Sequence, residues 1–218
     1  MSEIYDRYEE NSYISALMQE YLSQTPVASI IFIFTIVTSL YAFSNPELYG
    51  KFMLHPYSVS RGHRVYSIFT SGMIHQDWGH LFFNMLSFYF FAFRLETIIG
   101  HWQFAVLYIA SLALSDLSTI LKHKEHYWYN SLGASGAISA VVFSYILFDP
   151  RSTLLVFFIP MPAFIFGILY LVYSAYSSRQ ASTINHDAHF YGAVSGIIIT
   201  IILYPQVIGY FLRQMGLG

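Results

Sequence analysis

VASIIFIFTIVTSLYAF, residues 27–43, carries no charged side chain and stops at Ser44-Asn45-Pro46. A hydrocarbon core about 30 Å thick needs roughly 20 residues of helix at 1.5 Å each, so this stretch reads as a membrane span. Five more follow the same logic. The second starts near Trp78 or His80 and runs through LFFNMLSFYFFAF to Phe93. The third covers about Trp102 to Leu121, and the fourth Gly133 to Phe148, closed by Asp149-Pro150. The fifth runs from about Ser152 to Tyr173, with Pro160 and Pro162 bending it, and the sixth from about His189 to Leu212. Composition agrees with this count. Of the 218 residues 56% are hydrophobic and only 10% charged, against about 25% charged in a soluble domain. The expectation is an all-α polytopic membrane protein, a six-transmembrane-helix bundle in the lipid bilayer.

A net charge of -2 argues against nucleic acid as a partner, and the absence of cysteine excludes disulfides, thiolate metal sites and cysteine nucleophiles. The acidic start, MSEIYDRYEE, does not read as a signal peptide. Ile14, Leu17, Met18, Tyr21 and Leu22 fall at helical spacing, which suggests an interfacial lead-in over 1–26 ahead of a membrane domain over 27–218. The connection between the first two spans, about Ser44 to Asp77, is too rich in Phe52, Met53, Leu54, Tyr57 and Phe69 to be a solvated linker. It is expected half-buried against the bundle. Lysines and arginines divide four against six between the two faces, too even to orient the chain.

Polar side chains inside spans are costly and mark functional candidates. Four stand out: His80, Asn84, Ser135 and His189. In a six-span chain the second, fourth and sixth helices start from one face of the membrane, so all four residues lie at similar depth. Each alone reads as packing or interhelical hydrogen bonding. Together they supply a hydroxyl, a base to activate it, and donors for an oxyanion. His189 leads HFYGAVSG, in which Gly192 and Gly196 clear one stripe of the helix. The small residues Gly133, Gly136, Ala137 and Ala140 offer a matching stripe on the fourth span. Asp187 is at i−2 from His189, off its face, so a Ser–His dyad without a carboxylate is expected; His186, at i−3, is a second candidate base.

These residues resemble the rhomboid family of intramembrane serine proteases. HLFFN at 80–84 is similar to the family's HxxxN, GASG at 133–136 to its GxSG, and HFYGAVSG at 189–196 to its HxxGxxxG. TSGMIH at 70–75, Arg61-Gly62, and Glu96 ahead of Gly100 also fit. The resemblance implies Ser135 as nucleophile, His189 as base, and His80 and Asn84 at the oxyanion. It also implies a single-spanning membrane protein as substrate and, from its bacterial members, a place in a bacterial cytoplasmic membrane. Two positions depart from the pattern. Tyr66-Ser67 stand where the family often has Trp-Arg, and Ser139 stands where many bacterial members have an aromatic against the base. Tyr191 or a neighbouring aromatic is then expected to hold His189.

No cofactor or metal is expected for this chemistry. HExxH is absent, and HKEH at 123–126 reads as a solvated loop. A transporter would show a repeat between the halves, and none is found. The alternative from a different class is a catalytically inactive rhomboid-like protein that binds membrane clients.

Overall fold

The computed structural model describes residues 19, 22–156, 158–178 and 184–218. Most of the N-terminal lead-in, including Ile14, Leu17, Met18 and Tyr21, lies outside them. The described chain is a helical bundle. Helix α1 is Pro26–Ser44, and three short helices, α2 (Pro46–Phe52), α3 (Pro56–Val59) and α4 (Ser67–Thr70), lead through a 3-10 turn to α5 (Trp78–Ile99). Then come α6 (His101–His123), α7 (Ser135–Phe148), strands β1 (Thr153–Val156) and β2 (Ile159–Pro162), and helices α8 (Ala163–Ser177), α9 (His186–Leu203) and α10 (Val207–Met215). Four of these, α1, α5, α6 and α9, are long and apolar enough to cross a membrane, while α7 and α8 are apolar but shorter. The bundle is of the polytopic kind expected.

Its polarity runs opposite to that of a soluble bundle. Ile30, Phe34, Phe83, Phe90, Ile109, Leu117, Val172 and Ile202 face outward, while α6 buries Ser111, Ser115, Asp116 and Thr119. Polar groups therefore turn inward, where they find partners that lipid cannot offer. The α1 start shows the rule. Its first amides have no carbonyl of their own helix to bond. The wholly buried Glu96 of α5 accepts from Val27 N at 3.1 Å and Ala28 N at 2.6 Å, and its Oε1 lies 2.7 Å from His101 Nδ1.

Two expected spans are corrected. The fifth does not run as one bent helix from Ser152. Residues 153–156 pair antiparallel with 159–162, Thr153 opposite Pro162 and Val156 opposite Ile159, and the helix starts only at Ala163. Prolines lack the donor that a helix interior requires, whereas a two-stranded edge tolerates them. The sixth span ends at Leu203 rather than Leu212. Tyr204 precedes Pro205, leaves the helical region at φ −137°, ψ 73°, and separates α9 from the amphipathic α10.

Helix α7 is the axis of the fold, with every residue from Gly136 to Ile146 buried. Its closest neighbour is α9. A Cβ on Gly192 would run into the Gly136 carbonyl, and one on Gly196 into that of Ala140; one turn further, Thr200 Oγ1 gives its proton to Gly196 O and lies 2.7 Å from Ser144 Oγ, which donates to it. The seam thus pairs 136 with 192, 140 with 196 and 144 with 200, a four-residue step on both helices. Gly133, expected on the same stripe, precedes the helix and contacts His80 instead.

Candidate active site

The turn before α7 is held from three sides. Gly133 has φ +112°, a conformation open to glycine alone, and a Cβ there would meet His80 Cε1 at 2.6 Å. Gly133 N donates to Ser71 O at 2.9 Å, while Ser71 Oγ donates to the buried Asp116 carboxylate at 3.1 Å. Leu54 and Ser131 exchange both backbone hydrogen bonds, fastening the long first connection to this turn. Ser135 follows as the first residue of α7, where amides have no partner within their own helix.

From the other side, Asn185 caps α9. Its Oδ1 accepts from Ala188 N at 3.1 Å, and its Nδ2 donates to Thr119 Oγ1 at 2.7 Å and Ser131 Oγ at 3.1 Å. One side chain so fixes the start of α9 against both α6 and the turn before Ser135. Asn185 escaped the sequence reading, although Asn just before an apolar helix is a capping signal. With α9 fixed by its cap and by the glycine seam, His189 Nε2 lies 2.7 Å from Ser135 Oγ. In the neutral ring, with the proton on Nδ1, Nε2 accepts the serine proton. The alternatives fall elsewhere. His186 stands edge-on to His189 at 5.9 Å between ring centres, and Asp187 pairs with Lys122 of α6.

The place of the family's aromatic, occupied here by Ser139, is filled from another helix. The Tyr170 ring of α8 lies nearly parallel to His189, 25° between planes and 6.4 Å between centres. Ser139 Oγ donates to Ser135 O at 2.8 Å and lies 2.6 Å from Tyr170 Oη. Its one proton is committed to the carbonyl, so the tyrosine hydroxyl donates to Ser139. Of the two alternatives expected, Tyr191 or a neighbouring aromatic, Tyr191 is half exposed and pairs with Phe190, and the ring beside His189 is that of Tyr170.

His80 and Asn84 occupy the first turns of α5, where Asp77 Oδ1 caps the helix through His80 N at 2.8 Å. Asn84 Nδ2 donates one of its two hydrogens to His80 O at 2.9 Å, and His80 packs edge-on against His75 at 5.0 Å. His75 is fully buried, and its Nδ1 lies 3.0 Å from Ser39 Oγ. Burial, reinforced by His80, pushes its pKa down to about 3, so it stays neutral. The departure at Tyr66-Ser67 is also offset. Arg64 Nη2 donates to the carbonyls of Gly50, Lys51 and Met53 at 2.5–3.0 Å, anchoring the first connection where α2 ends. Among the described residues no group of three or more His, Asp or Glu side chains is placed to hold a metal ion.

A helical bundle with an apolar outer surface thus brings a serine hydroxyl and an imidazole into contact near its axis. The family model for the Rhomboid domain matches residues 62–206. The chain belongs to the rhomboid family. It is 28% identical over 169 residues to RHOMBOID-like protein 12, mitochondrial, of Arabidopsis thaliana, covering 68% of this chain and 50% of that protein. It is 30% identical over 149 residues to Rhomboid protein 1, mitochondrial, of Saccharomyces cerevisiae, covering 61% and 40% respectively. Over 138 residues it is 28% identical to YdcA of Bacillus subtilis, covering 62% and 65%. The chain thus spans about half the length of the curated relatives it matches. Two of the three are mitochondrial, so the expected bacterial inner membrane has no support from them; what stands is an integral membrane protein.

Proposed function

We propose that this protein is an intramembrane serine endopeptidase that cuts single-spanning membrane proteins within or beside their transmembrane helix. The observation that carries the reading is the 2.7 Å contact between His189 Nε2 and Ser135 Oγ. A serine hydroxyl is a weak nucleophile until an adjacent base takes its proton. His189 removes that proton as Oγ attacks the peptide carbonyl, and returns it to the leaving amine; water then releases the acyl-enzyme. The Ser135 amide, His80 and Asn84 are the donors for the oxyanion, Asn84 through the amide hydrogen that its bond to His80 O leaves over. A substrate helix shields its own peptide bonds, so the cut falls where that helix is easily opened.

Labelling of the detergent-solubilised protein by a fluorophosphonate tests this. Wild type is expected to label, and Ser135→Ala and His189→Ala to lose labelling while remaining folded. A folded wild type that does not label would overturn the dyad and leave client binding without cleavage as the function.

A further inference from the structure

His123, the last residue of α6, and His126, in the turn after it, bring their Nδ1 atoms to 2.9 Å. Both rings are held in place. Tyr129 stacks on His123 at 3.6 Å with planes 6° apart, and Trp128 stacks on His126 at 5.2 Å. The loop beneath them is fixed by His55 Nε2, which donates to Tyr127 O at 2.7 Å, and by Arg61, which donates to Lys124 O at 2.8 Å and Glu125 Oε2 at 3.0 Å. Both histidines are partly exposed, so an ion reaches them from solvent. Nothing in the Ser135–His189 chemistry uses them.

Two imidazole nitrogens facing each other share a single proton, one ring donating and the other accepting. We infer that this pair is a binding site for a divalent transition metal of the Cu2+ or Ni2+ type, the two Nδ1 atoms serving as neighbouring ligands and water completing the shell. Imidazole nitrogens sit about 2.0–2.1 Å from such an ion. At that radius a separation of 2.9 Å subtends about 90°, the angle between adjacent ligands in a tetragonal or octahedral shell. A tetrahedral Zn2+ site opens the nitrogens to roughly 3.3 Å and fits less well. On binding, the shared proton moves to Nε2 of its own ring. Each ring then turns within its aromatic stack, from facing its neighbour, until both Nδ1 lone pairs meet at the ion, with no net proton released and no change of oxidation state. The sequence HKEH reads as a solvated loop because spacing alone says nothing of the aromatic stacks that hold the two rings side by side.

The test uses the full-length protein, free of any polyhistidine tag, in detergent, with Cu2+ as the probe. Electron paramagnetic resonance is expected to report two nitrogen donors at one equivalent of Cu2+. His123→Ala and His126→Ala should each weaken binding by at least about tenfold, the scale on which loss of even an outer partner weakens a metal site. His63→Ala, outside the pair, should leave it unchanged. A second measurement spares both ligands: Cu2+ should quench tryptophan fluorescence saturably in wild type, and Trp128→Phe should remove most of that quench. A two-nitrogen signal that survives in either alanine variant would overturn the site. So would the absence of stoichiometric Cu2+ binding by the folded wild type.

Discussion

Tyr170 shows what a single residue adds to the candidate dyad. Its hydroxyl bonds Ser139, whose own proton is on the Ser135 carbonyl, and its ring lies along His189. One side chain thereby joins the nucleophile's backbone to the base. Tyr170→Phe keeps the ring and removes one hydrogen bond worth about 0.5–1.5 kcal/mol, so fluorophosphonate labelling should slow about two- to tenfold. Ser139→Ala should slow it similarly, and the double variant should cost little more than either, because both act through one chain of bonds. Fully additive losses would show that the two residues act separately. The residues of the site differ in how legible they are in the sequence. Ser135 and His189 stand out as polar groups in apolar spans, and Asn185 follows a capping rule. Tyr170 cannot be found this way, since a tyrosine in a membrane helix is ordinary and its contact with His189 exists only once α8 packs beside α9.

At the level of elements, hydropathy gave the helices and chain punctuation decided their ends. Helices α1 and α6 follow the apolar runs to within two residues at each end, and α5 continues past Phe93 to Ile99, because an unbroken helix satisfies its backbone in lipid. The β1–β2 hairpin is not legible in hydropathy, because apolar strands and apolar helices share a composition, and Pro160 and Pro162 suit a bent helix as well as an edge strand. At Tyr204-Pro205 the stop signal was present but masked by the apolar residues of α10 beyond it. The α7–α9 seam is the element contact on which the site depends. Gly192→Ala would place a methyl group on the Gly136 carbonyl and force the helices apart, next to Ser135 on one and His189 on the other. A displacement of about 1 Å can cost on the order of 100-fold in rate. Labelling should fall by that order while circular dichroism still reports a helical protein; labelling at the wild-type rate would show that the close approach is not needed.

Over the whole molecule, the polar network lies inside and the lipid-facing surface is apolar, but that surface is not of even height. Helix α7, at 14 residues, is about 21 Å long, and its neighbours cover it from Gly136 to Ile146. Helix α8 is nearly as short, at 15 residues, and presents Ile165, Ile168, Leu169, Val172 and Tyr176 to the outside. Its length of about 22 Å falls several ångströms short of a typical hydrocarbon core. The acyl chains beside α8 must therefore compress or tilt, which makes this flank a seam of hydrophobic mismatch while α1, α5 and α6 match the bilayer elsewhere. In liposomes of graded chain length, Ser135 labelling should be fastest in the thinner bilayers, where α8 stands unstrained beside its partner α9. Equal rates across the series would show that α8 does not bear the mismatch. On this reading the thickness of the surrounding membrane sets how firmly Tyr170, carried on α8, is held against the base.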